Sequence, residues 1–443
     1  MANTLEDQLN AYGTAQVIVV LKDAQRVAPA GKPAAALAAA IPVRESRATA
    51  ANAEPVVMQL SKFFKISETS ADSALAAAAK SRKISAAAGL SWYEHAKSAS
   101  NPTPPARFYP NLGLMLGTVD RQGVQALQAH GQVAQILVPP ILSLIRPTAV
   151  AAVKPKKQYT WGIKRLKVDK LHKQGITGEG IIVGHLDTGA DGKHPALKAA
   201  FHAFAEFDDF GFEKTPAPKP WDSDEHGTHT AGTIAGRTRA GYAIGVAPKA
   251  KLASAMVIEG GNAIARVLAG MDWVIGQGCR ILSMSLGFRG YTDDFLILTQ
   301  TLRARGVLPV FAVGNEGPGT SRSPGNYAEA LSIGASGSND KVASFSSSRE
   351  FARPADPRVP DLVAPGVGTI SAKPGGGYQQ MDGTSMATPH IAGLAALLFQ
   401  HKPAATIDQV EKAILDSCTL LPGESAQRQN RGIPDAVKAL ALL

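Results

Sequence analysis

Four polar residues of the types used in acyl-transfer chemistry lie in separate segments of the second half of the chain. They are, in order, Asp187, His226, Asn315 and Ser385. A serine hydroxyl is a poor nucleophile until an imidazole takes its proton, and the imidazole needs a carboxylate to hold its tautomer. A side-chain amide can donate to the oxygen that becomes negative during the attack. The combination therefore predicts a serine nucleophile with its base, its orienting acid and an oxyanion donor.

Taken alone, each of these residues has an ordinary structural interpretation. Asp187 follows an apolar strand-like run and is typical of a cap or turn. Asn315 at the end of another run fits a left-handed turn, and Ser385 at a glycine turn before an apolar run fits a helix cap. His226 and His229 lie three residues apart, as in some zinc sites, but neither HExxH spacing nor a third ligand motif accompanies them. The combination, and not any single residue, carries the prediction.

The elements that must position these residues are typical of a parallel α/β sheet from about residue 163 onward. Buried parallel strands read as near-continuous apolar runs, and four such runs occur. Strands are predicted over residues 181–186, 251–257, 281–285 and 307–313. An amphipathic helix containing Ile264, Val267, Leu268 and Met271 separates the second run from the third. Asp187 and Asn315 each follow one of these runs.

The preceding part of the chain predicts a smaller α+β domain. Alternating strand and helix patterns at its two ends suggest a split β-α-β unit of ferredoxin-like type, with Asp120 as a helix N-cap. Predicted strands cover residues 15–21, 112–119 and 133–138, and a predicted helix covers 120–130. Alanine-rich stretches between about 34 and 98 favour a helical insertion. We divide the chain into a domain at 1–145, a linker at 146–160 and a larger domain at 161–443.

Composition excludes several classes of function. The net charge is +10 and the pI is near 9.5, but no run of five Lys or Arg residues occurs, which argues against a nucleic-acid partner. No apolar stretch of about 18 residues predicts a membrane span. The two cysteines, Cys279 and Cys418, form no disulfide framework or metal motif. The N-terminus shows no signal-peptide pattern, so we expect a chain that is cytoplasmic as made, with export by a non-classical route left open.

Four motifs around these residues resemble those of subtilisin-family serine proteases (subtilases) in type, order and spacing. The segments are Leu186-Asp187-Thr188-Gly189, His226-Gly227-Thr228-His229, Gly314-Asn315-Glu316-Gly317 and Gly383-Thr384-Ser385-Met386-Ala387. The resemblance runs from about residue 160 to the C-terminus. It implies a three-layer α/β domain with a mainly parallel sheet, and a serine endopeptidase that works through an acyl-enzyme.

The resemblance also implies a role for each residue. Ser385 would attack the peptide carbonyl, and His226 would act first as general base and then as general acid. Asp187 would orient His226. Asn315 and the backbone N–H of Ser385 would form the oxyanion hole. His229 would be structural.

A protein or peptide substrate would, by the same resemblance, bind as an added strand between two sheet edges. One edge is the segment containing Ser285, Leu286 and Gly287, and the other contains Gly260 and Gly261. The first domain resembles the subtilase propeptide, which implies an intramolecular chaperone and inhibitor whose tail, about residues 139–158, lies in the cleft. A permanent accessory domain is the alternative.

The chain departs from the subtilase pattern at two places. Many subtilases hold a tight calcium ion partly through an Asp at the position of Ala196, and Arg237 and Arg239 stand where further oxygen ligands are expected. We therefore predict no metal or cofactor at this site, and leave open another cation site in the acidic stretch 208–225. Arg322, near the back of the substrate pocket, either favours an acidic substrate side chain or points to solvent.

Two other function classes remain open at this point. One is a binding or regulatory protein that retains a permanently blocked site. The other is a peptide ligase or transferase, in which an amine instead of water accepts the acyl group. The sequence does not name the physiological substrate.

Overall fold

The computed structural model describes residues 4–22, 55–65, 106–154, 156, 158–258, 263–353 and 356–443. Within these ranges, none of the helices combines the length and the apolar character that crossing a bilayer requires.

The N-terminal domain is built on a four-stranded antiparallel sheet. Its strands are β1 (Thr14–Leu21), β2 (Ala106–Tyr109), β3 (Leu114–Asp120) and β4 (Val133–Leu137). They lie in the order β2-β3-β1-β4, with helices at 55–61 and Arg121–Ala129 in the connections after β1 and β3. This is the predicted ferredoxin-like arrangement, and Asp120 caps the second helix through the Gly123 N–H at 2.7 Å. A further helix, Leu5–Tyr12, was not predicted, and the rest of the predicted helical insertion lies outside the described residues.

Strand β1 buries both of its faces. Because successive side chains point to opposite sides of a sheet, its apolar run divides into two sets. Val17, Val19 and Leu21 pack into the core of the N-terminal domain itself. Ile18 and Val20 pack into a second core that is shared with the larger domain. A strand with two buried faces explains why this run is continuously apolar.

Two short strands follow, β5 (Ser143–Leu144) and β6 (Ala149–Val153). They fall at the end of the first predicted domain and in the segment interpreted as a linker. Both pair with strands of the larger domain, as described for the site below.

The larger domain is organised on a seven-stranded parallel sheet. Its strands are β7 (Ile182–Asp187), β8 (Phe201–Glu206), β9 (Lys251–Met256), β10 (Ile281–Met284), β12 (Leu308–Ala312), β14 (Leu331–Ser336) and β17 (Leu362–Pro365). They lie in the order β17-β14-β12-β10-β7-β9-β8. Short strands around this sheet are β11 (Leu286–Arg289), β13 (Arg322–Ser323), β15 (Arg349–Glu350), β16 (Arg358–Val359), β18 (Thr369–Ala372) and β19 (Tyr378–Asp382). The four predicted strands are present, whereas β8, β14 and β17 were not predicted.

Helices cover both faces of the parallel sheet, which confirms the predicted three-layer α/β fold. One apolar core joins the sheet to the helices Trp161–Arg165, Val168–Lys173, His226–Ala235, Thr384–His401, Ile407–Asp416 and Ala436–Leu442. The opposite core joins it to Ala263–Gly276 and Leu296–Ala304, and this is the core that takes up Ile18 and Val20. A 3-10 turn at Asp293–Phe295 and a short helix at Ala426–Gln429 complete the described elements.

The four polar residues singled out from the sequence meet at one edge of this sheet. Asp187 is the last residue of β7, and Asn315 follows the end of β12. His226 and Ser385 lie in the first turns of the helices His226–Ala235 and Thr384–His401. Since the carboxyl ends of parallel strands share one edge, this is where open α/β sheets bind their ligands.

Candidate active site

Asp187 and His226 form a buried, hydrogen-bonded pair. His226 Nδ1 lies 2.7 Å from Asp187 Oδ1, and both side chains are almost fully buried, at 1% and 2% exposure. Asp187 Oδ1 also accepts the backbone N–H of Thr188 at 2.7 Å. Two donors on one carboxylate oxygen fix its plane, and the imidazole is thereby held with Nε2 directed away from the carboxylate.

A second carboxylate, Asp222, ties together the two elements that carry this pair. Its Oδ1 accepts the hydroxyl of Thr188 at 2.7 Å, and its Oδ2 accepts the backbone N–H of Thr228 at 2.6 Å. Thr188 Oγ1 in turn accepts the Gly227 N–H at 2.9 Å. A side chain at Gly227 would place its Cβ only 2.0 Å from the Gly189 carbonyl oxygen, so the glycine permits this close approach.

The charges of the pair set its proton affinity. Burial alone lowers the pKa of His226, but the charge and hydrogen bond of Asp187, aided by Asp222 and Asp224, outweigh burial and hold that pKa above its ordinary value. Burial alone raises the pKa of Asp187, but the charge and hydrogen bond of His226, together with His185 and the Thr188 N–H, outweigh burial and lower that pKa. The pair therefore stabilises an imidazolium beside a carboxylate, as a general base requires after it accepts a proton.

Ser385 is held by the start of the Thr384–His401 helix. Pro389 has no N–H for the carbonyl four residues back, so the Ser385 carbonyl lacks its helical donor and instead accepts the Ser285 hydroxyl at 3.4 Å. The Ser385 hydroxyl donates to the carbonyl oxygen of Ile145 at 2.6 Å. In the described part of the chain, His226 Nε2 is buried without a hydrogen-bond partner. The serine proton therefore points to Ile145 and not to the imidazole.

Asn315 is oriented by the residue that precedes the serine. Its Oδ1 accepts both the backbone N–H and the hydroxyl of Thr384, at 2.9 and 2.8 Å. This leaves Nδ2 directed into the cleft, where it donates to the carbonyl oxygen of Arg146 at 2.9 Å. A side-chain amide fixed in this way is a donor for a carbonyl oxygen that develops negative charge.

The segment 143–153 crosses the cleft as an added strand. Strand β5 pairs antiparallel with β11, opposing Ser143 to Gly287, and the Ile145 N–H donates to the Ser285 carbonyl at 3.0 Å. Beyond residue 147, Thr148 N–H donates to Asp382 O at 2.8 Å, and β6 pairs antiparallel with β19. Ile145 is 1% exposed. The predicted edge containing Ser285, Leu286 and Gly287 thus holds an extended peptide, and that peptide belongs to this chain.

Four further positions from the sequence analysis have different outcomes. Gly260 and Gly261 lie outside the described residues. His229 is buried, with Nε2 3.0 Å from the Thr369 carbonyl oxygen, and burial lowers its pKa to about 3. The expectation that Arg322 points to solvent is wrong: it is 7% exposed, forms an ion pair with Glu316 and donates to Ser143 Oγ at 2.9 Å. Its positive charge is therefore already neutralised.

Several residues of the site were missed by the sequence analysis. Asp222 was noted only as part of an acidic stretch, and His185 and Thr230 were not noted. His185 interrupts an apolar strand two residues before Asp187, and two residues is the repeat that places side chains on one face of a strand. That spacing was the available signal. The contacts of Asp222 join three separate segments and leave no comparable pattern.

A three-layer parallel α/β domain that brings a buried aspartate–histidine pair and a helix-borne serine to the carboxyl edge of its sheet is typical of a serine hydrolase. Residues 178–434 match the Subtilase family. Over 264 residues, 59% of this chain, the sequence is 36% identical to Subtilisin Savinase from Lederbergia lenta, of which it covers 91%. It is also 36% identical to Alkaline protease from Alkalihalobacillus alcalophilus over 264 residues, and 35% identical to Subtilisin E from Bacillus subtilis (strain 168) over 269 residues. Those matches cover 65% and 66% of the two relatives. The chain belongs to the subtilase family and is a subtilisin-like serine endopeptidase.

Proposed function

We propose that the protein hydrolyses peptide bonds in proteins through Asp187, His226 and Ser385, and that the segment 143–153 holds it inactive until it is displaced. In the active state Ser385 gives its proton to His226 Nε2 and attacks the peptide carbonyl carbon. Asn315 Nδ2 and the Ser385 N–H stabilise the oxyanion. His226 then protonates the leaving amine. In the second half of the reaction a water molecule gives its proton to His226, attacks the carbonyl carbon of the acyl-enzyme and releases Ser385 with its proton restored.

The observation that carries the inhibition proposal is a mismatch between two neighbouring peptide groups. Ser385 Oγ contacts the carbonyl oxygen of Ile145, whereas the Asn315 amide holds the carbonyl oxygen of Arg146. Hydrolysis needs the nucleophile and the oxyanion donor on the same carbonyl group. Moreover, the Ser385 hydroxyl donates its hydrogen bond to a carbonyl oxygen and not to His226, so His226 does not activate it. The segment therefore occupies the cleft as a substrate would, without presenting a bond that is ready for attack.

The N-terminal domain supports this segment through its own contacts with the larger domain. Asp272, in the helix Ala263–Gly276, accepts the backbone N–H groups of Asn111 and Leu112 on Oδ1, at 2.6 and 3.1 Å. The Tyr109 hydroxyl donates to the Ala265 carbonyl at 3.1 Å. Together with the shared apolar core, these contacts tether the segment near the cleft. Tethering raises the effective concentration of an inhibitor without any new contact in the site.

Replacement of Ile145 tests the inhibition. Truncation of a buried isoleucine to alanine costs about 2–5 kcal/mol, so Ile145→Ala should raise the open fraction of the cleft at least about tenfold. We expect a fluorophosphonate probe to label freshly purified Ile145→Ala protein at least about tenfold faster than the unaltered protein. Ile141→Ala is the matched control, because Ile141 is 86% exposed and its truncation should leave the rate unchanged.

The same experiment separates the alternatives. Equal labelling rates for the Ile145→Ala and unaltered proteins, with a reactive serine in both, would contradict inhibition by the segment. Absence of labelling in every variant would favour a binding protein with a permanently blocked site. Aminolysis that exceeds hydrolysis in the presence of an added amine would favour a ligase or transferase. Intact-mass measurements over time show whether the N-terminal domain is cut off or is kept as an accessory domain.

We also propose that the loop around Ala196 needs no calcium. Arg239 Nε donates to the Pro195 carbonyl at 2.9 Å, and an Arg237 guanidinium N–H donates to the Ala199 carbonyl at 3.0 Å. These guanidinium groups engage carbonyl oxygens of the loop and bring positive charge that opposes a calcium ion. A ligand that binds only the folded state raises Tm. We therefore expect EDTA, followed by added calcium, to leave the Tm unchanged within about 1 °C. A drop with EDTA that calcium reverses, and that persists in an Asp208→Asn variant, would contradict the proposal; a drop that Asp208→Asn removes would place the ion in the acidic stretch 208–225 instead.

A further inference from the structure

The second oxygen of the Asp187 carboxylate has its own buried partners. Oδ1 faces His226 and Thr188, as described above. Oδ2 accepts from Thr230 Oγ1 at 3.0 Å, and His185 Nε2 lies 3.7 Å from it. Thr230 and His185 are each 1% exposed. A polar group buried to this degree is costly unless it is satisfied, so the arrangement of their hydrogens matters.

His185 is held at both ring nitrogens by hydroxyl groups. Nδ1 lies 2.9 Å from Ser254 Oγ, on the neighbouring strand β9, and Nε2 lies 2.8 Å from Thr230 Oγ1. The titratable groups that bear on the ring are Asp187 and His226, and burial is the larger influence, lowering the pKa of His185 to about 4. The ring is therefore neutral near pH 7 and carries one N–H.

The tautomer of His185 decides where the Thr230 hydrogen goes. With the hydrogen on Nε2, His185 donates to Thr230 Oγ1, and the Thr230 hydroxyl is free to donate to Asp187 Oδ2. With the hydrogen on Nδ1, Nε2 instead accepts from Thr230, and Asp187 Oδ2 loses its donor. The negative charge of Asp187, 3.7 Å from Nε2, favours the first tautomer. The carbonyls of His226 and Gly227 also lie 3.2 and 3.1 Å from Thr230 Oγ1, but the carboxylate is nearer and charged.

We propose that His185 and Thr230 are positioning residues that act on catalysis through Asp187: His185 sets the direction of the Thr230 hydroxyl, which holds the second oxygen of the carboxylate. This proposal rests on the proposed role of Asp187 and His226. The hydrogen bond on Oδ2 withdraws charge from the carboxylate and fixes its rotation toward His226. Without it, Asp187 becomes a stronger acceptor for the imidazolium and a less well-oriented one.

The test compares Thr230→Val, which removes the hydroxyl and keeps the shape, with Thr230→Ser, which keeps the hydroxyl. Loss of one net hydrogen bond to the Asp187 carboxylate corresponds to a change of about half a unit in the pKa of His226. For Thr230→Val we expect the pKa that governs the loss of kcat/KM at low pH to rise by that amount. We also expect kcat to fall about tenfold with KM unchanged. Thr230→Ser should behave as the unaltered protein. In His185→Leu the Thr230 hydroxyl is released to choose between Asp187 Oδ2 and the carbonyls of His226 and Gly227, so its shift should lie between those of the unaltered protein and Thr230→Val. Adding His185→Leu to Thr230→Val should change nothing further.

A second measurement needs no turnover. In the full chain, the low-field proton NMR signal of His226 Nδ1–H reports its hydrogen bond to Asp187, and we expect it to move in Thr230→Val and not in Thr230→Ser. Unchanged pH limbs and an unchanged signal in Thr230→Val, with only a lower Tm, would overturn the proposal and leave a structural role. If neither the unaltered protein nor any variant cleaves peptides, the proposed function fails. The NMR comparison then still decides whether Thr230 positions Asp187.

Discussion

Ser385→Ala protein should lose peptide cleavage by about 10⁶-fold, the scale on which removal of an activated serine acts in a triad. The expected loss is this large because the other groups of the site, His226 and Asn315, have no nucleophile to assist once Oγ is gone. Any processing of the chain by itself, which we expect between about residues 139 and 158, should stop as well. Hydrolysis of a fluorogenic peptide and intact-mass measurements over time check both expectations.

The fold should survive this change. Within the described ranges the Ser385 hydroxyl makes one hydrogen bond, to the Ile145 carbonyl, and the loss of one such bond costs about 1 kcal/mol. Ser425→Ala is the control, because Ser425 is exposed and its hydroxyl makes no capping bond to the helix that follows. Its activity should equal that of the unaltered protein. If Ser385→Ala protein shed its N-terminal domain unaided, the assignment of the nucleophile would be wrong.

Asp187→Asn should reduce kcat by about 10⁴-fold while the fold is retained. The amide is nearly isosteric with the carboxylate, but it brings N–H donors and carries no charge. When the amide oxygen faces His226, the imidazolium loses its counter-charge; when the amide nitrogen does, the imidazole is driven to the tautomer with its hydrogen on Nε2. That tautomer cannot accept the serine proton.

The pH profile of the Asp187→Asn variant gives a second, signed expectation. In the unaltered site burial lowers the pKa of His226, but the charge and hydrogen bond of Asp187 together with the charges of Asp222 and Asp224 outweigh burial and raise that pKa, so activity is lost as the pH falls through a value above the ordinary one near 6.5. Without that charge, burial is opposed only by Asp222 and Asp224, and the residual acid limb should move to lower pH. Asp416→Asn, at an exposed pair with Lys412, makes the same chemical change away from the site and should alter neither quantity. A shift of the low-pH loss of activity to higher pH in Asp187→Asn would contradict the pairing of Asp187 with His226.

The sequence was most informative where function depends on a residue and its immediate neighbours. Asp187 at a strand end and Ser385 at a helix start are local features, and the structure places them on β7 and in the first turn of the helix Thr384–His401. The ferredoxin-like pattern was also predictable, because β1, β3 and β4 carry strong apolar runs. Strand β14 was not, because its alternation of Ser, Gly and Ala residues resembles a loop.

What could not be predicted depends on contacts between residues far apart in the chain. Arg322 is buried because Glu316 neutralises it and Ser143, from the crossing segment, accepts from it. Residues 149–153 read as a linker because a run of small residues is apolar without periodicity, and their strand exists only through pairing with β19. The spacing of His185 from Asp187 was visible in the sequence, but its partners were not, since Ser254 and Thr230 lie on other elements.

Under the proposed function a substrate follows the path of residues 143–153, and this path constrains which targets can be cut. The chain in the cleft is extended on both sides of Ser385 and gives its backbone hydrogen bonds to two different strands, β11 and β19. A native protein rarely exposes such a length of backbone with its N–H and C=O groups unpaired. A target must therefore unfold locally before it can enter, and the rate of cutting follows the population of that opened form. We therefore expect the rate of cleavage at each site to rise as the free energy of local unfolding at that site falls. Weakly packed segments should be cut faster than well-packed ones.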